Sequence, residues 1–299
     1  MPAWRPCAPV SEHPIDAAYQ PQRRRSRVKL PLSPLWICLV ALCCAPLALG
    51  QGHYPGFDKN DYPGDKLLPA LHRSFSYTGY WLNNPPGANS NSWLGKRAVL
   101  KANGFGFMIL YNGRLDNELK GKNAAARGRA DAAAAVSAAK REGFGPGAIL
   151  FLDQEEGGRL LPEQSAYLFA WTDAVRSSQY KPGVYCSGIP VAEGSGRITT
   201  ADQIASHEGN KGVALWVVND LCPPAPGCAM PGKSLGPGSS GISEALVWQY
   251  ARSPRTEFAR QCGSTYAADG NCYAPNLPHS AQTFLDLDLS SSADPSGGR

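Results

Sequence analysis

The sequence predicts a mixed α/β protein folded as a single (β/α)8 TIM-type barrel, irregular at its last two βα units. Three observations carry this. Eight apolar, β-rich runs recur between residues 53 and 290. Several of them are continuously apolar rather than alternating, as strands of a parallel sheet covered on both faces are. Helical patterns fill most of the gaps between them, which is the order of a βα-repeating fold. A doubly wound open sheet is the alternative architecture for the same pattern.

The strand runs, in order, are HYPGFD (53–58), SYTGYWL (76–82), FGFMILYNG (105–113), AILFLDQE (148–155), KPGVYCSG (181–188), ALWVVND (214–220), ALVWQYA (245–251) and TFLDLDLS (283–290). Helical patterns follow the first five: LLPALHRSF, SWLGKRAVLKANG, AAARGRADAAAAVSAAKREG, PEQSAYLFAWTDAVRSSQ and TTADQIASHEGN. The Ala-rich segment has strong helix formers, apolar residues at helical spacing and a glycine stop at Gly143. After the sixth and seventh strands the helices give way to loops rich in Pro, Gly and Cys. The barrel is expected over residues 51–290, with no second domain, and the polar tail SSSADPSGGR is expected to be disordered over 291–299.

The front of the chain reads as an export signal, residues 1–50, with an unusually long basic n-region. RRRSRVK precedes the apolar LWICLVALCCAPLALG, which ends in small residues suited to cleavage after Gly50. The apolar run is shorter than the ~20 residues a membrane-spanning helix needs, so no stable membrane insertion is expected after cleavage. RRRSRVKL is a poor twin-arginine motif, which favours general secretion, and a secreted or periplasmic location follows. Of the formal net charge of +5, residues 1–50 hold six Lys/Arg against two Asp/Glu, leaving 23 against 22, or +1, for the rest. So balanced a surface argues against nucleic acid as a partner.

The cysteines suit an oxidising compartment. Cys222 and Cys228 bracket CPPAPGC, and Cys262 and Cys272 bracket a Gly/Ala/Asn-rich loop, so two local disulfides are the economical pairing. Cys186 is left as a free, strand-borne thiol that acts as a small buried hydrophobe. Zinc is disfavoured, since no C-x-x-C occurs and His53, His72, His207 and His279 are scattered. No cofactor is expected, and an oxygen-ligated divalent cation is a minor alternative for the acidic residues.

In a barrel of this kind the active site forms where strands end and βα loops begin. The residues placed there are Asp58, Asn112, Asp153, Glu155, Tyr185, Asn219, Asp220, Trp248, Tyr250, Asp286 and Asp288. Side chains two apart on a strand share a face, so Asp153 and Glu155 point into one mouth, with Gln154 and Glu156 turned away. Like charges gathered in one mouth raise the proton affinity of the least solvated member. A carboxylic acid that keeps its proton beside an ionised carboxylate is the equipment of glycoside hydrolysis. Tyr80, Trp81, Tyr185, Trp216 and Trp248 would offer flat faces to sugar rings. The bland alternative is that Glu155 and Glu156 merely cap a helix and the tryptophans fill the core. Separate acids at the ends of the first, fourth and eighth strands weigh against it. Other chemistries lack their marks: there is no Gly-x-Ser-x-Gly elbow, no phosphate loop and no His-based metalloprotease motif, and GPGSSG sits in a Pro/Ser loop with no helix pattern after it.

GFD at 56–58, the D-x-E of LDQEE (153–155), AWTDAV followed by KPGVYCSG, WQY at 248–250 and LDLD at 285–288 together resemble the glycoside-hydrolase-like domain of unknown function 1906. Its barrel is similar to that of the family 25 lysozymes. The resemblance implies that Glu155 is the general acid, that Asp153 steers the acetamido group or stabilises positive charge, and that Asp58 and Asp286 complete the catalytic set. Their place at strand ends and at the aromatic rim makes Tyr80, Trp81, Asn112, Tyr185, Trp216, Trp248, Tyr250 and Asp288 the expected substrate contacts. The EGGRLLPEQ continuation, the long spacer between WQYA and LDLD and the Asp-Leu-Asp ending depart from the lysozymes. Two function classes follow: a secreted, muramidase-like glycosidase acting on peptidoglycan or another acetamido-sugar polysaccharide, or a non-catalytic barrel that binds glycan or cell wall.

Overall fold

A computed structural model of the chain describes residues 53–220, 235–253 and 283–299. Eight of its strands close into a barrel: β1 (Tyr54–Asp58), β2 (Tyr77–Trp81), β3 (Gly106–Asn112), β4 (Ile149–Asp153), β5 (Lys181–Ser187), β8 (Ala214–Val218), β9 (Ala245–Ala251) and β10 (Asp286–Ser290). Every predicted run supplies one of them, and their order around the barrel follows the chain, with β10 closing against β1. Two short strands, β6 (Val191–Glu193) and β7 (Gly196–Ile198), form a hairpin after β5 that the sequence reading did not expect.

The five helical patterns are realised around this barrel. They form α1 (Leu68–His72), α2 (Arg97–Ala102), α4 (Ala124–Arg141), α5 (Pro162–Arg176) and α6 (Thr200–Glu208), with a short α3 (Asp116–Leu119) added before α4. Their starts follow from local chemistry. The Asn123 side chain accepts from the Ala126 N–H, and the Thr199 hydroxyl accepts from the Asp202 N–H, each satisfying a first-turn donor. Pro162 opens α5 at a position where its missing N–H costs nothing. None of the helices among the described residues is long and apolar enough to cross a membrane.

The barrel departs from the expected all-parallel arrangement at one strand. β10 runs antiparallel to both β9 and β1, while the remaining neighbours pair in parallel. An antiparallel neighbour needs no crossover helix, and none was legible before LDLDLS. The reversal matters for the site. It brings the amino end of β10 to the side where the other strands present their carboxyl ends, so Asp286 lies directly opposite Asp58.

The tail is also corrected. Residues 291–299, read as disordered from their composition, are packed against the opposite end of the barrel. β3 and β4 come into register only at Ile109 and Leu150. Before that point their backbone groups need other partners, and the tail supplies them. Ser296 N–H donates to the Phe107 carbonyl (2.9 Å), its carbonyl accepts from Ile149 N–H (2.8 Å) and its hydroxyl accepts from Ile109 N–H (2.9 Å). Asp294 accepts from the N–H groups of Phe107, Gly298 and Arg299 at 2.8, 3.1 and 3.0 Å. Residue 106 must be glycine for this approach, since a Cβ there would stand 2.0 Å from the Ala293 carbonyl oxygen. The polar residues that suggested disorder are the ones that satisfy the strand ends. Asp294→Ala is therefore expected to lower the unfolding free energy by about 1–3 kcal/mol, read as a lower urea midpoint. An unchanged midpoint would contradict the tail's structural role.

Candidate active site

The mouth of the barrel gathers carboxyl groups from three strands. Asp58 ends β1 and is 5% exposed, and Asp153 ends β4 and is 4% exposed. Asp286 and Asp288 are two apart on β10 and so share its inner face. Glu155 stands two residues beyond the end of β4. Gly79 on β2 makes room for Asp58, because a Cβ at that position would come within 2.8 Å of the aspartate's own Cβ.

These groups differ in what holds them. Asp58 accepts a hydrogen bond from the Gln249 amide (Nε2 to Oδ2, 2.9 Å), and the Gln249 carbonyl accepts from the Tyr185 hydroxyl (2.8 Å). Asp288, fully buried, accepts from the Trp216 indole N–H (2.9 Å). Asp286 accepts from the Ser253 backbone N–H. Asp153 has no hydrogen-bond partner for either oxygen among the described residues. Glu155 is solvent-exposed, yet protein surrounds its carboxyl closely enough that burial raises its pKa.

All five carboxyls are pushed to higher pKa, each chiefly by burial. Charge adds to burial in a consistent way. Asp286 further raises Asp58 and Glu155, Glu155 and Asp58 further raise Asp153, and Asp58 further raises Asp288. Hydrogen bonds and one cation act the other way: the Gln249 and Asp288 bonds lower Asp58, the Ser253 bonds and Arg252 lower Asp286, the Trp216 bond lowers Asp288, and Arg252 lowers Glu155. Arg252 is itself held by Asp220 through two bonds of 2.6 and 3.1 Å. The arrangement raises the proton affinity of neighbouring carboxyls, the shift on which general acid chemistry depends.

The remaining expected residues divide. Tyr185 and Trp216 pack together inside the barrel, ring centres 4.3 Å apart; the Trp216 indole donates to Asp288 and the Tyr185 hydroxyl to the Gln249 carbonyl. Trp81 is buried and donates to the Lys59 carbonyl just past Asp58 (3.1 Å). Tyr80 is not at the mouth. Strand alternation that aims Gly79 at Asp58 turns Tyr80 outward, where it packs among Trp93, Phe107 and Phe144 and donates to Glu142. Asn112 is engaged by its neighbours: its N–H and carbonyl pair with the Asn83 side chain, and its amide donates to the Asn84 carbonyl (2.9 Å). Trp248 donates to the Asn219 carbonyl (3.0 Å) and packs near Tyr250, ring centres 5.7 Å apart. Glu156 turns away as expected and braces the neighbouring helices, accepting from the Asp116 N–H and the Gln164 amide at 2.7 and 2.6 Å. Cys186 is free and buried, whereas Cys222, Cys228, Cys262 and Cys272 lie outside the described residues. No group of three or more His, Cys, Asp and Glu among the described residues is arranged to hold a metal ion.

Sequence reading missed Gln249, Arg252 and Tyr77. The register slips where Leu287 faces Ala251 but Asp288 faces Gln249, which leaves Tyr250 as the extra residue of a bulge. Strict alternation therefore fails within WQY, the one place where it would have sorted inward from outward. Tyr77 sits fully buried, its pKa raised first by burial and then by the charge of Asp288.

A pH dependence of stability follows. The folded chain binds protons at Asp153, Asp58 and Asp288 more tightly than the unfolded chain, so their contribution is fully present below the ordinary aspartate value of about 3.9 and is lost as pH rises through the raised folded values. Asp153→Asn removes a buried, unpartnered ionisable group and is expected to raise the urea midpoint at pH 8 while flattening the decline of stability above pH 4. A variant less stable than the parent at pH 8 would contradict this.

Residues 77–220 match the family described as "Rv2525c-like, glycoside hydrolase-like domain". Among solved structures, an uncharacterized B. stearothermophilus protein is 18% identical, with 79% of this chain and 95% of that chain covered and a TM-score of 0.49. The Mycobacterium tuberculosis Tat-secreted protein Rv2525c, in complex with L-tartrate, is 13% identical over 80% of this chain and 95% of its own, with a TM-score of 0.47. A family 25 glycosyl hydrolase from Bacillus anthracis is 11% identical over 81% and 90%, with a TM-score of 0.45. No curated protein matches. The matched stretch runs from β2 to just past β8 and contains Asp153 and Glu155, while Asp58, Gln249 and Asp286 fall outside it. Over that stretch the chain is similar in sequence to the Rv2525c-like glycoside-hydrolase-like domains, as its motifs lead one to expect.

Proposed function

We propose that the chain is a glycosidase acting on peptidoglycan or another acetamido-sugar glycan, with Glu155 as the general acid. One observation carries the reading. A solvent-reachable Glu155 with raised proton affinity stands on the same strand exit as the buried Asp153, which has no hydrogen-bond partner among the described residues. Leaving a buried carboxyl unsatisfied is costly, and a site that must bind and orient a substrate's acetamido group gives it a use.

In this reading Glu155 gives its proton to the glycosidic oxygen as the bond to the leaving sugar breaks. Asp153, held neutral by its raised proton affinity, orients the acetamido group. Asp58 and Asp286, opposite each other across the barrel closure, keep the surroundings negative and sustain the proton on Glu155. Glu155 then takes a proton from the incoming water, and the outcome is retention, through a carboxylate or through the substrate's own acetamido group. Trp216 and Tyr185 serve this chemistry from within the barrel by fixing Asp288 and Gln249. We further propose that residues 1–50 direct export to the secreted or periplasmic space, where such a substrate is found.

General acid catalysis is typically worth ~10²–10⁴-fold. Glu155→Gln is expected to lower the release of reducing ends from peptidoglycan or acetamido-sugar oligomers by about that factor while glycan binding persists. Glu156→Gln, whose side chain braces α3 and α5, is expected to leave turnover near that of the parent. Full activity in Glu155→Gln would overturn the assignment. Binding of glycans by the parent chain without cleavage of any of them would favour a non-catalytic glycan-binding barrel.

A further inference from the structure

We infer that Gln249 is a positioning residue whose amide, oriented by the Tyr185 hydroxyl, keeps the negative charge of the buried cluster on Asp58. The geometry sets the direction. Tyr185 donates to the Gln249 carbonyl at 2.8 Å, so the other end of the amide, which can only donate, faces Asp58 Oδ2 at 2.9 Å. An N–H aimed at a carboxyl favours its ionised form. Gln249 is 2% exposed, and Tyr185 is 7% exposed, so water does not replace either bond at low cost.

Asp286 and Asp288 each receive one N–H as well, but of these groups only Asp58 also has the Asp288 carboxyl as a hydrogen-bonding neighbour, an interaction that lowers Asp58 and raises Asp288. From β10, Asp286 bonds a backbone N–H outside the cluster and Asp288 bonds the Trp216 indole. From β4, Asp153 has no partner among the described residues, and Glu155 is open to solvent. From β2, the fully buried Tyr77 brings only a phenol that burial holds neutral. The nearby cation, Arg252, is bound in two places by Asp220 at the rim. Within the barrel interior, the Tyr185–Gln249 pair therefore acts together with the Asp288 contact to favour the charge on Asp58. Once Asp58 carries the charge, it raises the proton affinity of Asp153 and Asp288 beside it. An uncharged, non-titrating side chain thus helps set which acids in the mouth hold protons.

The test is a titration of the full chain labelled with ¹³C at aspartate carboxyls, comparing the parent with Gln249→Met, Gln249→Glu and Tyr185→Phe. Loss of a bond to a charged carboxyl is expected to raise the Asp58 midpoint in Gln249→Met by about 1–2 pH units. The midpoints of Asp153 and Asp288 are expected to fall, since a neutral Asp58 no longer opposes their ionisation. Tyr185→Phe, which frees the amide, is expected to give the same signs with smaller size. Gln249→Glu keeps the shape and is expected to raise Asp58 further, so it carries the test if the methionine variant does not fold. An unmoved Asp58, or carboxyls that all move in one direction as a general loosening would cause, overturns the inference. For its catalytic meaning the inference rests on the proposed glycosidase reading, but the titration needs no turnover. A parent chain that cleaves no glycan defeats that reading and leaves the result on Gln249 standing. Where the parent chain does cleave, the acidic limb of its kcat/KM profile is expected to move to higher pH in Gln249→Met.

Discussion

The pairing of β1 with an antiparallel β10 closes the barrel, and the chemistry of the mouth depends on it. Only a reversed last strand can present its first residue, Asp286, across from the last residue of β1, Asp58. The same reversal runs Asp288 down the inner face, where Trp216 from β8 reaches it. Fold closure and charge assembly are thus one event. The barrel cannot close without bringing the carboxyls of its first and last strands together, and the cost of that proximity is carried by the packing of the other strands and by the tail that secures β3 and β4 from below.

That cost is electrostatic and informative. Acids placed in a low-dielectric interior would ordinarily be paired with cations or fully hydrogen-bonded. Here the rim arginine is engaged by Asp220, and the interior donors are a glutamine amide and an indole. Proton uptake is then the cheapest relief. Sites strained in this way trade stability for function, and Asp153, without a hydrogen-bond partner among the described residues, carries such a cost.

Much of this was legible in the residues. The eight strand runs, GFD, D-x-E and LDLD announced both the barrel and the carboxyls, because continuous apolar runs and acids at their ends are local patterns. What escaped the sequence depended on geometry between elements. LDLDLS fits a parallel or an antiparallel strand equally well, since alternation does not encode direction. Gln249 was hidden by a bulge at Tyr250 that breaks the two-residue rule inside WQY. Tyr80 was placed at the rim although the same rule, applied from Gly79, turns it outward. The tail was judged by composition, yet its serines and aspartate serve the open backbone groups of two strands.

The central claim is that a buried carboxyl in this mouth keeps its proton where ordinary carboxylates have lost theirs. Infrared difference spectroscopy of the parent chain against Asp153→Asn measures this directly through the C=O stretch of a protonated carboxylic acid. At pH 6, about two units above the ordinary aspartate value, the account predicts a protonated-acid band in the parent that is missing from the variant. A parent spectrum at pH 6 showing only ionised carboxylates would contradict it.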